Sequence, residues 1–269
     1  MTAQLMHRRD LLRRLCYGLV AMPVLHACGG SDLDVESPFD SANPDIPADG
    51  WASGGTAAMI AKASYPDPFT ATPASCLLVA STTQGPCTTA TDLAREDISE
   101  GLTGLPVRLA LRVVTTRCAP LVGATIKIWH TNLEGSYSGQ TPNPMCLLDQ
   151  AYGAGNFMRG TQITDANGVA YFDTCFPGWY GGRAIHIHFQ IKSGNMSTIV
   201  SQLFFPESIT AGIFASHPEY SRFGQPDTSN ASDNIVSGLS ATERGRMIFD
   251  VARMSDGAML ASKTVTVTA

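Results

Sequence analysis

Apolar and polar residues alternate with a period of two along much of the chain beyond residue 106. In residues 107–113, valine and leucine occupy the odd positions, and Arg108, Ala110 and Arg112 lie between them. This alternation predicts a strand that buries one face and exposes the other. Stretches of the same character lie at residues 124–129, 169–174, 184–192, 198–205, 247–253 and 259–268.

Turn-forming residues separate most of these stretches. Residues 165–168, with the sequence Asp-Ala-Asn-Gly, form a hairpin-type turn that leads directly into residues 169–174. Helical periodicity does not intervene between the strands, which argues against a parallel α/β sheet. We therefore predict an all-β fold, an antiparallel β-sandwich with long active-site loops.

The first 28 residues have the pattern of an export signal. The pair Arg8-Arg9 precedes an apolar run over residues 15–25, which is too short to remain as a membrane-spanning helix. The run ends at Cys28 with the shape of a lipoprotein cleavage site, and plain cleavage near Ala27 is the alternative. We expect an exported protein in the periplasm or at the cell surface, attached to the membrane through a lipid on Cys28.

The rest of the chain divides into a tether and one domain. Residues 29–72 form a flexible tether, rich in Gly, Ser, Asp and Pro at first, and a short N-terminal segment in which the Ala-rich residues 56–64 are predicted to be helical. Residues 73–269 form the β-sandwich domain. A length of 269 residues with 44% hydrophobic content suits one such domain with a substantial core.

Charge and cysteine content narrow the possible partners and the compartment. The net charge of -5, without a block of Lys and Arg, excludes nucleic acid as a partner. Beyond the signal, five cysteines remain, which in an oxidising compartment predict two disulfides and one free thiol. The connectivity is not readable from the sequence, although the short loop between Cys76 and Cys87 favours that pair. The five are Cys76, Cys87, Cys118, Cys146 and Cys175.

The most informative stretch for chemistry contains a His-Ile-His motif. In a strand, Ile185, Ile187 and Phe189 enter the core while His186 and His188 project from the opposite face, where the two imidazoles can bind one metal. An isolated motif of this kind is more often an ordinary exposed strand. The glutamate of a cupin site and the additional ligands of a zinc hydrolase or a copper-zinc dismutase are not evident in the sequence.

Several ordered motifs give the histidine pair a context. In their order along the chain, these motifs resemble those of the intradiol ring-cleavage dioxygenases, which include catechol, hydroxyquinol and protocatechuate dioxygenases. The resemblance covers roughly residues 75–206 and is more specific than any single motif. The motifs lie at residues 85–86, 95–98, 118–124, 128–130, 135–139, 159–162, 164–168 and 180–188.

This resemblance implies one Fe(III) per chain, held by two tyrosines and two histidines. The four ligands fall on Tyr137, Tyr180, His186 and His188. Phenolate is a hard anionic donor that favours ferric iron, and a bound metal lowers the pKa of tyrosine far below its usual value of about 10.

The resemblance also assigns catalytic roles and a reaction. Tyr180 takes a proton from the substrate, Arg183 stabilises negative charge on the ring, and Gln202 lines the same pocket. The expected reaction cleaves a small aromatic diol of the catechol type with O2 to a muconate-type dicarboxylate. Trp129 and His130 are expected to support the site by packing, and His217 is expected in a surface loop.

Two other functions stay open at this point. One is a non-catalytic, exported β-sandwich that binds a ligand, similar to transthyretin. The other is a different metalloenzyme on the same scaffold. Residues 29–75 are too polar for the helical dimerisation region of catechol-specific members, so the chain resembles an exported, stand-alone branch. The sequence leaves open the oligomeric state and the particular catechol, because specificity lies in loops such as residues 140–156.

Overall fold

The computed structural model describes the chain from Gly50 onward, with small gaps. The described residues are 50–72, 75–90, 92–140, 143–194, 196 and 198–268. The predicted export signal with Cys28, and the tether up to residue 49, lie outside them. No helix within these ranges is long and apolar enough to cross a membrane.

The described residues form two four-stranded sheets. One sheet has the order β4-β1-β8-β7 and the other has the order β3-β2-β5-β6. All neighbours are antiparallel except β1 and β8, which are parallel. The strands are β1 Pro106–Thr115, β2 Thr125–Trp129, β3 Arg159–Ile163, β4 Val169–Cys175, β5 His186–Lys192, β6 Ile199–Phe204, β7 Asp250–Arg253 and β8 Met259–Val267, and the α-helices are α1 Glu207–Ser216 and α2 Ala241–Gly245.

The core lies between the two sheets and confirms the predicted β-sandwich. Alternate residues of β1, such as Leu109, pack in one cluster with alternate residues of β5, such as Ile187 and Phe189. All three side chains are at most 1% exposed. The period of two is satisfied because successive side chains of a strand point to opposite faces, so one face of each sheet supplies the core.

Three of these strands and helices, β3, α1 and the short α2, were not predicted. Strand β3 contains Arg159, Gly160 and two polar residues, which weaken its apolar alternation. Glycine is nevertheless needed there, because a Cβ on Gly160 would lie 2.6 Å from Ile98 Cγ2. Helix α1 follows Pro206 and buries Ile209 and Ile213, an i, i+4 pair that was a readable helix signal.

Three local predictions need correction. The turn at residues 165–168 exists, with Gly168 N–H donating to the Asp165 carbonyl, but it joins β3 and β4, which belong to different sheets, so it is not a hairpin. Residues 247–253 do not form one strand. Residues 247–249 pair with β6 in one sheet, and only residues 250–253 form β7 in the other. The Ala-rich stretch forms two short 3-10 helices, Gly55–Ala58 and Lys62–Ser64, since a segment of nine residues is too short for a stable α-helix by itself.

The disulfides join Cys76 to Cys118 and Cys87 to Cys146, and Cys175 is a buried free thiol. Two disulfides and one thiol are thus confirmed, whereas the favoured Cys76–Cys87 pair is wrong. The segment between these two cysteines is held by both sheets: Val79 N–H donates to Thr266 O of β8, and Thr82 N–H donates to Val200 O of β6. Because the segment crosses from one sheet to the other, Cys76 and Cys87 at its two ends are held apart. This constraint outweighs the entropic advantage of closing a short loop.

The surface-loop prediction for His217 is also wrong. Its side chain is 2% exposed, and its Nε2 lies 3.0 Å from the Ala52 carbonyl oxygen. The ring packs edge to face against Tyr220. The residue is buried because the segment that contains Ala52 covers it, a contact between residues 165 positions apart.

Replacing Cys146 with serine is expected to lower the free energy of unfolding by about 2–4 kcal/mol, because the lost crosslink closes a long loop. Urea denaturation under oxidising conditions measures the change. The Cys87→Ser/Cys146→Ser double variant is the control and should lose no more than the single variant. A larger loss of unfolding free energy in the double variant than in Cys146→Ser would show that the two side chains contribute by packing and not through the bond.

Candidate active site

Strand β5 places two imidazoles side by side on the face that points away from the core. His186 and His188 are 4% and 2% exposed, and their Nε2 atoms lie 3.1 Å apart. The Nδ1 of His186 lies 2.6 Å from the Ala184 carbonyl oxygen and donates to it, so its Nε2 carries the lone pair. The Nδ1 of His188 is buried without a hydrogen-bond partner among the described residues.

Two loops bring a tyrosine each to this pair. Tyr137 follows β2, and its N–H donates to the Cys146 carbonyl over 2.9 Å. Tyr180 lies between β4 and β5, close to Gly135, where a Cβ would lie only 2.2 Å from the Trp179 carbonyl oxygen. The side chain of Tyr137 is 2% exposed, whereas that of Tyr180 is partly buried.

The structure brings the four predicted donor side chains together. Tyr137 Oη lies 3.3 Å from Tyr180 Oη and 3.4 Å from His186 Nε2, and Tyr180 Oη lies 3.3 Å from His186 Nε2. Four ligands that lie about 2.0 Å from one cation are about 3.3 Å apart in a tetrahedron. The spacing therefore fits donors that share one metal ion. Among the described residues, no set of three or more His, Cys, Asp or Glu could hold a metal, and this cluster combines two His with two Tyr.

Burial controls the protonation of these groups. Burial, followed by the positive charge of Arg183, lowers the pKa of His186 to about 3, and burial lowers that of His188 well below its ordinary value. Both imidazoles are thus neutral donors at neutral pH. Burial also raises the pKa of Tyr137 and Tyr180, so each phenol keeps its proton unless a cation lies beside it. Two oxygens that ionise only beside a cation suit a highly charged metal such as Fe(III).

Arg183 is held at the edge of the cluster by two buried side chains. Its Nε donates to Asp233 Oδ2 over 2.8 Å, and its Nη2 donates to Gln202 Oε1. Gln202 lies opposite His188 on β6 and is fully buried behind the arginine. Asp233 also accepts the Ala184 N–H at 2.9 Å.

Asp233 was not identified from the sequence. Its side chain is fully buried, and it links Arg183 to a loop 50 positions further along the chain. The sequence contains no motif around it that predicts this contact. Its carboxylate fixes the orientation of the Arg183 guanidinium, because the same oxygen, Oδ2, accepts the hydrogen bond and forms the ion pair.

Arg159 holds together the segments next to the cluster. It was likewise not predicted as a functional residue. Its guanidinium donates to Ser138 Oγ at 3.1 Å, Thr89 Oγ1 at 3.0 Å and the Cys87 carbonyl at 3.2 Å. These groups belong to the two segments that the Cys87–Cys146 disulfide joins. The loop that carries Tyr137 is therefore fixed at two neighbouring points.

Trp129 and His130 have the packing roles that were predicted. The Trp129 ring stacks on His188 with a centroid distance of 4.9 Å and an interplanar angle of 8°. His130 is fully buried and contacts Thr131 O and Thr174 Oγ1, each at 2.8 Å. Burial lowers the pKa of His130 to about 4, so it is neutral at neutral pH. Trp129 thus packs directly on a candidate donor, and His130 links the end of β2 to β4.

A cavity of about 450 Å³ opens above the cluster. Tyr137, Tyr180, His188 and Arg183 line it, so a small molecule in the cavity meets three of the four candidate donors and the guanidinium. Part of the predicted specificity loop, residues 140–156, contributes to the wall. The other lining residues are Thr83, Gly85, Pro86, Cys87, Gly135, Met145, Cys146, Leu148, Gly181, Gly182, Asn234 and Ile235.

A family model and several solved structures are similar to this chain. The model described as Dioxygenase (Dioxygenase_C) matches residues 81–216, which include all four candidate donors and Arg183. No protein with a curated description matches the chain significantly.

Two solved structures illustrate the similarity. An intradiol ring-cleavage dioxygenase from Tetranychus urticae is 28% identical with a TM-score of 0.62, and the alignment covers 72% of this chain and 95% of that one. A hydroxyquinol 1,2-dioxygenase from Pseudomonas putida DLL-E4 is 18% identical with a TM-score of 0.52, covering 80% and 72% of the two chains. The second similarity concerns the fold alone.

Proposed function

This chain belongs to the intradiol ring-cleavage dioxygenase family, and from this premise we propose that it uses one Fe(III) to cleave a catechol-type ring with O2. The product would be a muconate-type dicarboxylate. The observation that carries the proposal is that His186 Nε2 lies 3.1–3.4 Å from His188 Nε2 and from both phenol oxygens, beside a cavity that three of the four donors line.

In this proposal Tyr137, Tyr180, His186 and His188 hold the iron. The metal, when bound, acts as a Lewis acid that draws electron density from the aromatic diol and makes its ring carbons reactive toward O2. Tyr137 is the more deeply buried phenol and serves as the permanent anchor. Both phenols line the cavity, but Tyr180 is only partly buried, so its side chain is the more accessible of the two to a substrate.

Tyr180 then acts as the general base. Its phenolate oxygen accepts a proton from a hydroxyl of the diol, which lets the substrate bind as an anion. Arg183 lies three residues further along the same loop and lines the same cavity. Its guanidinium stabilises the negative charge that builds on the ring as O2 attacks, and Asp233 and Gln202 keep it in place for this.

The proposal is tested by colour, metal content and product. Tyrosinate bound to ferric iron absorbs visible light, so the purified protein is expected to be red-brown and to contain about one iron per chain, as one set of donors implies. With catechol, it should consume O2 and form a muconate. A colourless, iron-free protein would favour a non-catalytic binding module, and a yellow semialdehyde product would indicate a different metalloenzyme.

Replacing Gly85 with alanine is expected to disturb the metal site. The new Cβ would lie 3.3 Å from His188 Cε1, so the ring must shift by a few tenths of an ångström. We expect kcat/KM to fall about tenfold, because small misplacements of reacting groups are costly. Oxygen uptake and the visible spectrum measure the effect.

Gly123→Ala is the matched control for that variant. Gly123 has a φ of +71°, close to the +69° of Gly85, but nothing lies within 4 Å of its added Cβ. Both variants carry similar backbone strain, so only Gly85→Ala should change the spectrum. Equal spectra and equal rates in the two variants would contradict the proposed position of His188 at the metal.

We also propose that the protein acts outside the cytoplasm, anchored through a lipid on Cys28. The two disulfides support an oxidising compartment. Cell fractionation tests the location: in cells expressing the full chain, the protein should sediment with membranes, and a Cys28→Ala variant should become soluble in the exported fraction.

A further inference from the structure

The cavity above the candidate metal site is larger than a single ring with two hydroxyl groups requires. Its volume of about 450 Å³ lies in the range of pockets that take drug-sized ligands, roughly 300–1,000 Å³. A diol bound at Tyr180 and His188 would occupy only the base. The remaining space therefore determines which substituents the ring can carry.

The rim of the cavity is apolar on one side. Met145 and Leu148 are 77% and 67% exposed, and both line the cavity with Ile235 and Pro86. An exposed apolar pair beside a pocket provides a surface for an apolar ligand group. Among the lining side chains, those of Tyr137 and His188 are buried, whereas those of Met145 and Leu148 are exposed.

Hydrogen bonds and a disulfide hold residues 145–148, which carry this apolar pair. Met145 N–H donates to Asn143 Oδ1 at 3.0 Å, and Leu148 N–H donates to Ser136 Oγ at 3.0 Å. Between them, Cys146 is tied to Cys87 by a disulfide. A surface that is already ordered loses little conformational entropy on binding, so its apolar contacts contribute to affinity.

The charges of the cavity disfavour an anionic substituent. Among the described residues that line it, Arg183 is the one lysine or arginine, and its guanidinium is assigned to the reacting ring, so a substituent elsewhere in the cavity meets no second cation. A carboxylate on the ring would lose its water shell without gaining a free cation.

We infer that the substrate is a neutral catechol with a bulky apolar substituent, which lies against Met145, Leu148 and Ile235. This inference rests on the proposed ring-cleavage function. According to this inference, the apolar rim determines substrate specificity, and the enzyme prefers such a catechol to one with a carboxylate on the ring. Met145 suits the role because its flexible side chain adapts to substituents of different shape.

The test compares three probes with the iron-loaded protein: catechol, 4-tert-butylcatechol and protocatechuate, which is carboxylated. Oxygen uptake gives kcat/KM, and anaerobic calorimetry gives Kd. We expect kcat/KM for 4-tert-butylcatechol to exceed that for catechol about tenfold, since small apolar groups in a fitting pocket discriminate by about this factor. Protocatechuate should be the poorest of the three by both measures.

A double variant, Met145→Ser with Leu148→Ser, should remove most of this preference. The matched control is Leu93→Ser with Ile163→Ser, which changes two exposed apolar residues outside the cavity and should keep the preference. The inference is overturned if protocatechuate is the best substrate, or if the preference survives in the Met145/Leu148 variant. Failure of the proposed function looks different, because then none of the three diols binds and none supports O2 uptake.

Discussion

Tyr180→Phe is expected to lower kcat/KM for ring cleavage by about 10²–10⁴-fold, the usual contribution of a positioned proton acceptor. The variant keeps the ring but loses the oxygen that lies 3.3 Å from both Tyr137 Oη and His186 Nε2. Three donors remain, so the protein should still bind iron. Because one of two phenolates is lost, the visible band should also shift. Steady-state oxygen uptake, iron analysis and the absorption spectrum measure these three effects.

Tyr171→Phe is the matched control for this experiment. Tyr171 lies on β4, away from the cavity that Tyr180 lines, and its ring packs under the Arg108 guanidinium, a contact that phenylalanine keeps. The control should have the rate and the colour of the unchanged protein. If Tyr180→Phe turned over catechol at the unchanged rate, its role as proton acceptor would be wrong.

Arg159→Met is expected to cost about 3–5 kcal/mol of unfolding free energy, the usual effect of removing one partner from a buried, charged network. The side chain is 1% exposed, and the Asp92 carboxylate beside it is fully buried. Methionine keeps an unbranched apolar chain, although a shorter one than that of arginine, and donates no hydrogen bond. The acceptors on Ser138, Thr89 and Cys87 would therefore lose their partner inside the protein.

Urea denaturation measures this loss, and Arg222→Met is its control. Arg222 is exposed, so its replacement should change stability by less than about 0.5 kcal/mol. Arg159 donates a hydrogen bond to Ser138, which follows Tyr137 in the same loop. The destabilised variant should therefore also hold iron less tightly. A loss below about 1 kcal/mol would mean that Arg159 does not hold these segments together.

Local patterns in the sequence were sufficient for most strands and for the histidine pair. Side-chain alternation is a property of each strand by itself, so residues 107–113 and 184–192 could be recognised without knowing their neighbours. For the same reason, the shared face of His186 and His188 followed from their spacing. Strand β3 was missed because Gly160 and its polar neighbours depend on tertiary contacts.

The two tyrosines could be selected only through the family resemblance. Tyr137 and Tyr180 lie in irregular loops 43 positions apart, and no periodicity relates them to β5. Their meeting depends on the antiparallel pairing of β2 with β5, which brings the loop after β2 and the loop before β5 to the same end of the sheet. The selection agrees with the geometry of the described site, while their binding of iron stays a prediction.

The sequence by itself determined most of the segments that become strands, the face of β5 that carries the imidazoles and the residue types that suit a ferric ion, since these follow from local chemistry. Only the tertiary structure decided the disulfide partners, the burial of His217 and the pairing of Arg183 with Asp233. These contacts join residues tens of positions apart. The packing of the two sheets determines them, because bringing distant segments together costs chain entropy that only the complete core offsets.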